Sequence, residues 1–412
     1  MRETGHRVFL AGGGTGGHLY PGLALAEALR RRDPHVAVAF SCTRRPIDWS
    51  ILRAHPYPLT PLAARPFRAR APWTWPALAF SLVRAGNQAR RRLREFCPEV
   101  VVGLGGYGSY APVRVGQKYG AATAVLNPDI APGRANRRLF GRADRVFCQF
   151  AETAEAVGGN ARLTGCPVRP SLLEATRQEG LAAFGLDPGR RTLLVTGASL
   201  GARTVNRAVV RMLRDRGLPD GWQVLHLTGQ GEHAGVAAGY EALDLPAVVR
   251  AYADPMGPAY AVADLAIARA GASTVAELLA TGLPAVFLPY PFHRDRHQVR
   301  QARAVERCGA AVVVDDVPSD PADTADRLAE AVHTLAGDEV RRGRMADAAR
   351  AAGRPEAADA VAAEVLALAR QVTARRHARI AGEKDVAAAA AAPHVDTGPT
   401  ATYTHPAGGT RP

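Results

Sequence analysis

The 412-residue sequence predicts an α/β protein built from two Rossmann-like, doubly wound parallel-sheet domains that face a cleft. Three observations predict it. Short apolar runs alternate with segments of helical spacing; the pattern starts twice, each time as strand, glycine-rich turn and helix; and an apolar fraction of 47% is ample for two cores in a chain too long for one.

The first start is RVFLA (7–11), followed by the turn GGGTGG and by LYPGLALAEALRRR, whose apolar residues Leu19, Leu23, Ala26 and Leu29 recur at helical spacing. VAVAFSC (36–42) closes a βαβ opening, and VVVGLG (100–105), ATAVLN (122–127) and RVFCQF (145–150) read as further strands. GCPVRP (165–170), with two prolines and a glycine, suits a linker. The second start is RTLLVTGASLGARTVNRAVVRML, after which WQVLHLTG, AVVRAY, LAIARAG, PAVFLPY and AAVVVDD supply strands at regular intervals. The expected organisation is therefore a first domain over 1–168, a second over 169–365, and a tail over 366–412. From about 381 the tail is alanine-, proline- and glycine-rich and is expected to be largely disordered.

Charge and cysteine usage narrow the setting. The formal charge of +14 comes almost wholly from arginine, since Lys118 and Lys384 are the only lysines, and suits nucleic acid, anionic lipid or a phosphorylated substrate. Cys42, Cys97, Cys148, Cys166 and Cys308 are scattered without a CxxC pair, so a reducing cytoplasm is expected, with neither a disulfide framework nor a zinc site. The first apolar run breaks into glycine too early for a signal peptide, and no stretch reaches the roughly 18 apolar residues of a spanning helix. A soluble protein, or one attached to a membrane surface from outside, is expected.

Gly12, Gly14 and Gly17 satisfy GxGxxG, which alone would suggest a dinucleotide site. The second strand, however, ends in Arg44 and Arg45 instead of the acid that holds an NAD ribose, which leaves NADP open; no GxxxxGK[ST] loop occurs. Glycines ahead of a helix N-terminus let the backbone approach a polar or anionic group, or simply pack strand against helix. His18 reads either as a cap or spacer in the first helical turn, or as a general base kept neutral by the helix dipole. In RAGASTVAELLATGLP, Thr274 and Glu277 have the spacing of a capping box, and Glu277 alternatively accepts a pair of sugar hydroxyls. His293, Asp295 and His297 sit in an arginine-rich loop without a recognised ligand frame, so no metal is assigned.

Taken in order, GGGTGGHLYPGLALAEAL, GLGGYGSYAP, GCPVR, GASLGARTVN, RAGASTVAELLATGLPAVFLPYP and DRHQVRQA resemble the MurG family over residues 7 to 365. These enzymes add N-acetylglucosamine from its UDP donor to undecaprenyl-diphospho-muramoyl-pentapeptide. The resemblance implies the GT-B fold, with acceptor on the first half and UDP-sugar on the second, inversion at the sugar, and no cofactor. It implies donor contacts at Thr15, Gly16, Gly17, Arg169, Ser199, Ala253, Ala272, Ser273, Thr274, Val275, Ala276, Glu277 and Gln298. Glu277 would hold the ribose and Ala253 would lie against uracil through its backbone. His18 matches the family's general base, and Gly105, Gly106, Tyr107 and Asn127 fall at the acceptor.

Two features depart from the pattern. Where the family usually has HEQN, this chain reads VLNPDIAPGRANRR, with Asn127 or Asp129 in its place, and Leu200 replaces a glutamine. The first motivates two alternatives: a different lipid or glycan acceptor, or a nucleotide-sugar-binding paralogue without transfer. Residues 65–96 combine eight arginines with Trp73, Trp75, Phe80, Leu82 and Val83, which suits either a solvated helix face or a segment lying on an anionic membrane surface. In the resembling family this region meets the bilayer that holds the polyprenyl-diphosphate acceptor, so a peripheral place on the inner face of the cytoplasmic membrane is implied. No nucleic-acid module accompanies the arginines, and no nucleic-acid partner is expected.

Overall fold

The computed structural model describes residues 5–66, 72–197, 201–293 and 295–391. In the first half, β1 (Arg7–Ala11), β2 (Ala37–Cys42), β3 (Leu59–Pro61), β4 (Val100–Gly103), β5 (Ala122–Asn127), β6 (Arg145–Cys148) and β7 (Ala161–Leu163) form one sheet in the order β3-β2-β1-β4-β5-β6-β7. In the second half, β8 (Arg191–Thr196), β9 (Trp222–Leu227), β10 (Ala247–Arg250), β11 (Leu265–Ala268), β12 (Ala285–Phe287) and β13 (Ala311–Val313) form another, ordered β10-β9-β8-β11-β12-β13. Neighbouring strands pair in parallel, as at Val8 beside Val38 on one side and Val100 on the other. Parallel strands buried on both faces need continuous apolar runs, and VVVG and LAIA are buried at every position. The expected fold class is the observed one.

The strand order reverses direction at β1/β4 and at β8/β11, the crevices where α/β sheets bind ligands at their strand carboxyl ends. The turns leaving β1, β4 and β11 are the glycine motifs of the sequence, so three of the four lie at switch points for a topological reason. The fourth, after β8, includes 198–200, and Ser199 lies outside the described residues.

Strands β3 and β7 were not expected. Each is a three-residue edge strand, too short to leave a periodic signal. The last helix runs Ala357–Ala391 without a break, about ten residues past the point where order was expected to end, while the rest of that stretch, 392–412, lies outside the described residues. Alanine, glutamate and lysine are strong helix formers, and missing apolar periodicity argues against packing, not against helix. The opening turns of this helix leave the second half. Ala358, Val361, Ala362, Val365 and Ala369 join Leu19, Leu23 and Leu126 in a core on the first sheet, so the boundary drawn at 365 falls inside one helix.

Candidate functional site

One cavity of about 1700 Å³ runs between the two sheets' carboxyl ends. From the first half, Gly14, Thr15, Gly16, Gly17, His18, Gly106, Tyr107 and Asp129 line it; from the second, Arg169, Tyr252, Tyr260, Arg269, Ala272, Ser273, Thr274, Glu277, His293, Asp295, His297 and Gln298. The halves touch at its edge, where Ser273 Oγ donates to the Gly17 carbonyl at 3.1 Å and the Tyr20 and Tyr252 hydroxyls meet at 2.8 Å.

His18 is not the cap. The helix starts at Gly16 with Thr15 in the N-cap position, so His18 is its third residue, half-buried, with Nδ1 3.1 Å from Thr15 Oγ1. Burial lowers its pKa, opposed by the nearby Asp129 and Asp48 carboxylates and by a bond to the Gly13 carbonyl. The imidazole rests on Gly105 and Gly106, whose φ values of +102° and +71° already favour glycine. A Cβ on Gly105 would come within 2.7 Å of His18 Cδ2, and one on Gly106 would enter the Gly13 carbonyl. GLGGYG thus makes the seat for the ring.

The opening turn is held by a residue that sequence reasoning missed. Asp48 is fully buried and accepts from Gly14 N–H at 2.9 and 3.0 Å, from Thr43 N–H at 3.0 Å and from Thr43 Oγ1 at 2.5 Å. Arg45 donates to the Gly14 carbonyl at 2.6 Å. The two arginines that argued against an NAD ribose therefore include one that builds the turn.

Across the cavity, helix Ala272–Thr281 has Gly271 as its N-cap and no side-chain cap bond, so the Thr274/Glu277 capping box is not formed. The helix begins three residues earlier than that spacing implies. Glu277 instead accepts from Tyr260 Oη at 2.8 Å, and burial pushes its carboxyl up to about 7 against the pull of that bond and of Arg169. Arg169 stacks over the Tyr20 ring at 4.7 Å and lies 3.8 Å from Asp254. Arg269 is buried against Asp316 at 2.8 Å and Thr204 at 2.5 Å. Gln298 accepts from the Tyr290 N–H at 3.0 Å, which fixes its side-chain oxygen.

Several expected contacts fall elsewhere. Asn127 is buried and faces inward: it donates to the Asp129 carbonyl at 2.7 Å and accepts from Asn136 at 3.0 Å, so Asp129, two residues on, is the one that reaches the cavity. Ala253, Val275 and Ala276 pack in the second half's core, and Gly105 lies beneath His18, so none of the four lines the cavity. His293, Asp295 and His297 do come together, with ligand-type atoms all within 4.8 Å and His297 Nδ1 2.8 Å from Asp295.

Trp73, Trp75 and Phe80 are 77%, 48% and 68% exposed, although helix Trp75–Phe96 has an apolar face to bury. The stripe it buries is Ser81, Ala85, Ala89 and Leu93; Leu78 and Leu82 line the cavity. No helix of the described residues is long and apolar enough to cross a membrane.

Comparison with known proteins fits this geometry. The profile of the glycosyltransferase family 28 N-terminal domain matches residues 8–148, and that of the C-terminal domain matches 192–361. A UDP-N-acetylglucosamine--N-acetylmuramyl-(pentapeptide) pyrophosphoryl-undecaprenol N-acetylglucosamine transferase of Nocardioides sp. is 39% identical over 388 residues, 90% of this chain and 100% of the relative. Its namesake in Salinibacter ruber is 36% identical over 371 residues, 90% and 98% of the two chains. The crystal structure of Acinetobacter baumannii MurG has the same fold, with a TM-score of 0.68 at 24% identity over 88% of this chain and 99% of that one. Identity at this level along almost the whole chain, with both domain profiles in order, means that the chain belongs to glycosyltransferase family 28, among the MurG-type N-acetylglucosamine transferases.

Proposed function

We propose that this chain moves N-acetylglucosamine from UDP-N-acetylglucosamine to undecaprenyl-diphospho-muramoyl-pentapeptide, with inversion and with His18 as general base. The observation that carries the reading is a half-buried imidazole, its pKa lowered by burial, facing a helix N-terminus, Arg169 and Glu277 across one cavity. With Nδ1–H donating to Thr15 Oγ1, Nε2 keeps the lone pair that takes the acceptor's hydroxyl proton. The acceptor oxygen then bonds to the sugar C1 as the C1–O bond to UDP breaks, and UDP leaves with the electron pair. Its growing charge is met by Arg169 and by the free N–H groups that open helix Ala272–Thr281. The reading calls for no metal or other cofactor. Incubation with radiolabelled UDP-N-acetylglucosamine and a polyprenyl-diphospho-muramoyl-pentapeptide should label the lipid; UDP-sugar binding without labelled lipid would sink the transfer reading.

Glu277 is assigned to the ribose hydroxyls, which gives donor binding a pH dependence. Its carboxyl is pushed up to about 7, and the carboxylate form accepts two hydroxyl donors where the protonated form cannot. Donor affinity should therefore weaken as pH falls through 7, with a limiting slope of about tenfold per unit. The donor's diphosphate does not titrate there. Calorimetry from pH 5 to 8 on the parent and on Glu277→Gln checks this: the variant should bind more weakly at pH 8 and lose the slope. A parent affinity flat over that range would remove the carboxylate from the ribose.

The reading also places the protein at an anionic membrane surface through Trp73, Trp75 and Phe80. In support, these side chains are exposed on the segment whose Leu78 and Leu82 line the same cavity as His18, so a lipid-linked acceptor would meet apolar side chains at both places. Replacing all three by serine should weaken partitioning into anionic vesicles by at least about tenfold. Flotation that matches the parent would exclude them as anchors.

A further inference from the structure

Asp129 is an acid that the reading above leaves unused, although it lines the cavity from the same side as His18. Its place is built. Strand β5 ends at Asn127, whose buried amide donates to the Asp129 carbonyl at 2.7 Å; the next N–H, of Ile130, donates to Gln301 Oε1 at 3.2 Å. Gln301 is itself buried and donates to the Ala270 carbonyl at 2.7 Å, and Thr153 Oγ1 donates to the Ile130 carbonyl at 2.9 Å. Three hydrogen bonds thus fix the backbone at Asp129 and Ile130, and a fourth holds Gln301, which makes one of them. A solvated loop acid has no need of such fixing.

We propose that Asp129 is the positioning residue for His18: its carboxylate stands beside the imidazole, sets its orientation and stabilises the imidazolium formed when the acceptor's proton arrives. The proposal rests on His18 as base. The proton goes from the acceptor hydroxyl to Nε2, Asp129 takes no proton, and the cation created on the ring lies next to a fixed anion in a partly desolvated site, where such a charge has most effect.

The electrostatics agree. Asp129 acts to raise the His18 pKa against burial, and His18 acts to lower that of Asp129, whose carboxyl burial otherwise pushes up. Each has other neighbours. Asp48 also raises His18; His297 and His293 draw Asp129 down, and Asp295 pushes it up. His18 is the largest of the charged influences on Asp129, and Asp129 the largest on His18. The two belong together more than either belongs to the loop at 293–297.

The test is Asp129→Asn, with Asp129→Glu as the conservative variant. Removing the anion disfavours imidazolium, so the His18 pKa should fall by roughly 1 unit or more and the acid limb of kcat should move to lower pH with it. The plateau kcat should fall about 10- to 100-fold, as expected for a weaker, less well oriented base, while donor KM stays near the parent value. Asp129→Glu should restore the limb and part of kcat. NMR titration of the His18 ring, assigned by its loss in His18→Gln, reads the coupling without turnover. An unchanged His18 titration in Asp129→Asn would overturn the pair. A shifted titration with unchanged kcat would overturn instead the assignment of His18 as base. A rise confined to donor KM would make Asp129 a substrate contact and not a positioning residue.

Discussion

His18→Ala is expected to lower kcat by about 10²- to 10⁴-fold, the range a positioned proton acceptor contributes, and to leave the KM for UDP-N-acetylglucosamine nearly unchanged. The split follows from geometry. The donor is assigned to Arg169 and Glu277, whereas His18 meets only the incoming hydroxyl, so its loss removes an interaction made in the transition state. The fold should survive, because the ring packs on the two glycines Gly105 and Gly106 and its deletion leaves a small solvent-connected gap. In the parent, kcat should rise with pH along a limb below the ordinary imidazole value, since burial lowers the His18 pKa and the neutral form is the active one. Steady-state kinetics with donor and lipid acceptor varied separately check the prediction. Turnover within about tenfold of the parent would place the base elsewhere.

What the sequence disclosed about this site, and what it did not, follows from how each part binds. Backbone-built turns leave a local trace, since only glycine permits the close approach, and the motifs at the ends of β1, β4 and β11 were legible for that reason. Their assembly into one cavity was legible too, because parallel βαβ order fixes where switch points fall. Partners brought from afar were not. Asp48 lies 34 residues from the Gly14 N–H it holds, in a stretch, RRPIDWS, that reads as an ordinary helix start. Asn127 and Asp129 are two positions apart at the end of one strand, and only the inward turn of the Asn127 amide decides which of them faces the cavity. The capping-box spacing at Thr274 and Glu277 misled for the opposite reason: a local pattern was present, but the helix had already begun at Ala272 behind Gly271. Trp75 and Phe80 read correctly as a surface feature because their helix buries small residues where a core-facing helix would bury large ones.

The largest structural effect is expected at Asp48. Its carboxylate is the shared acceptor for Gly14 N–H, Thr43 N–H and the Thr43 hydroxyl, and all of these are removed from solvent with it. Alanine would leave two backbone donors without a partner, each costing about 1–3 kcal/mol when buried, so Asp48→Ala should destabilise the first half by about 2–5 kcal/mol. At about 2–4 °C per kcal/mol for a domain of this size, the thermal midpoint should drop by roughly 4–20 °C. Asp48→Asn keeps the shape and one acceptor oxygen but points an amide N–H₂ at a donor, so an intermediate loss is expected. Activity should suffer beyond the lost stability. The same turn sets the register of Thr15 and His18, and a misplacement on the order of 1 Å at a reacting group costs about 10²-fold. The two effects separate at a temperature where the variant is still fully folded by circular dichroism: kcat should be depressed there by more than donor affinity, most of whose expected contacts lie on the opposite half. A melting curve that overlays the parent's would mean that water replaces the carboxylate without loss. A folded Asp48→Ala protein with parental kcat would show that the opening turn does not need its anchor to present His18.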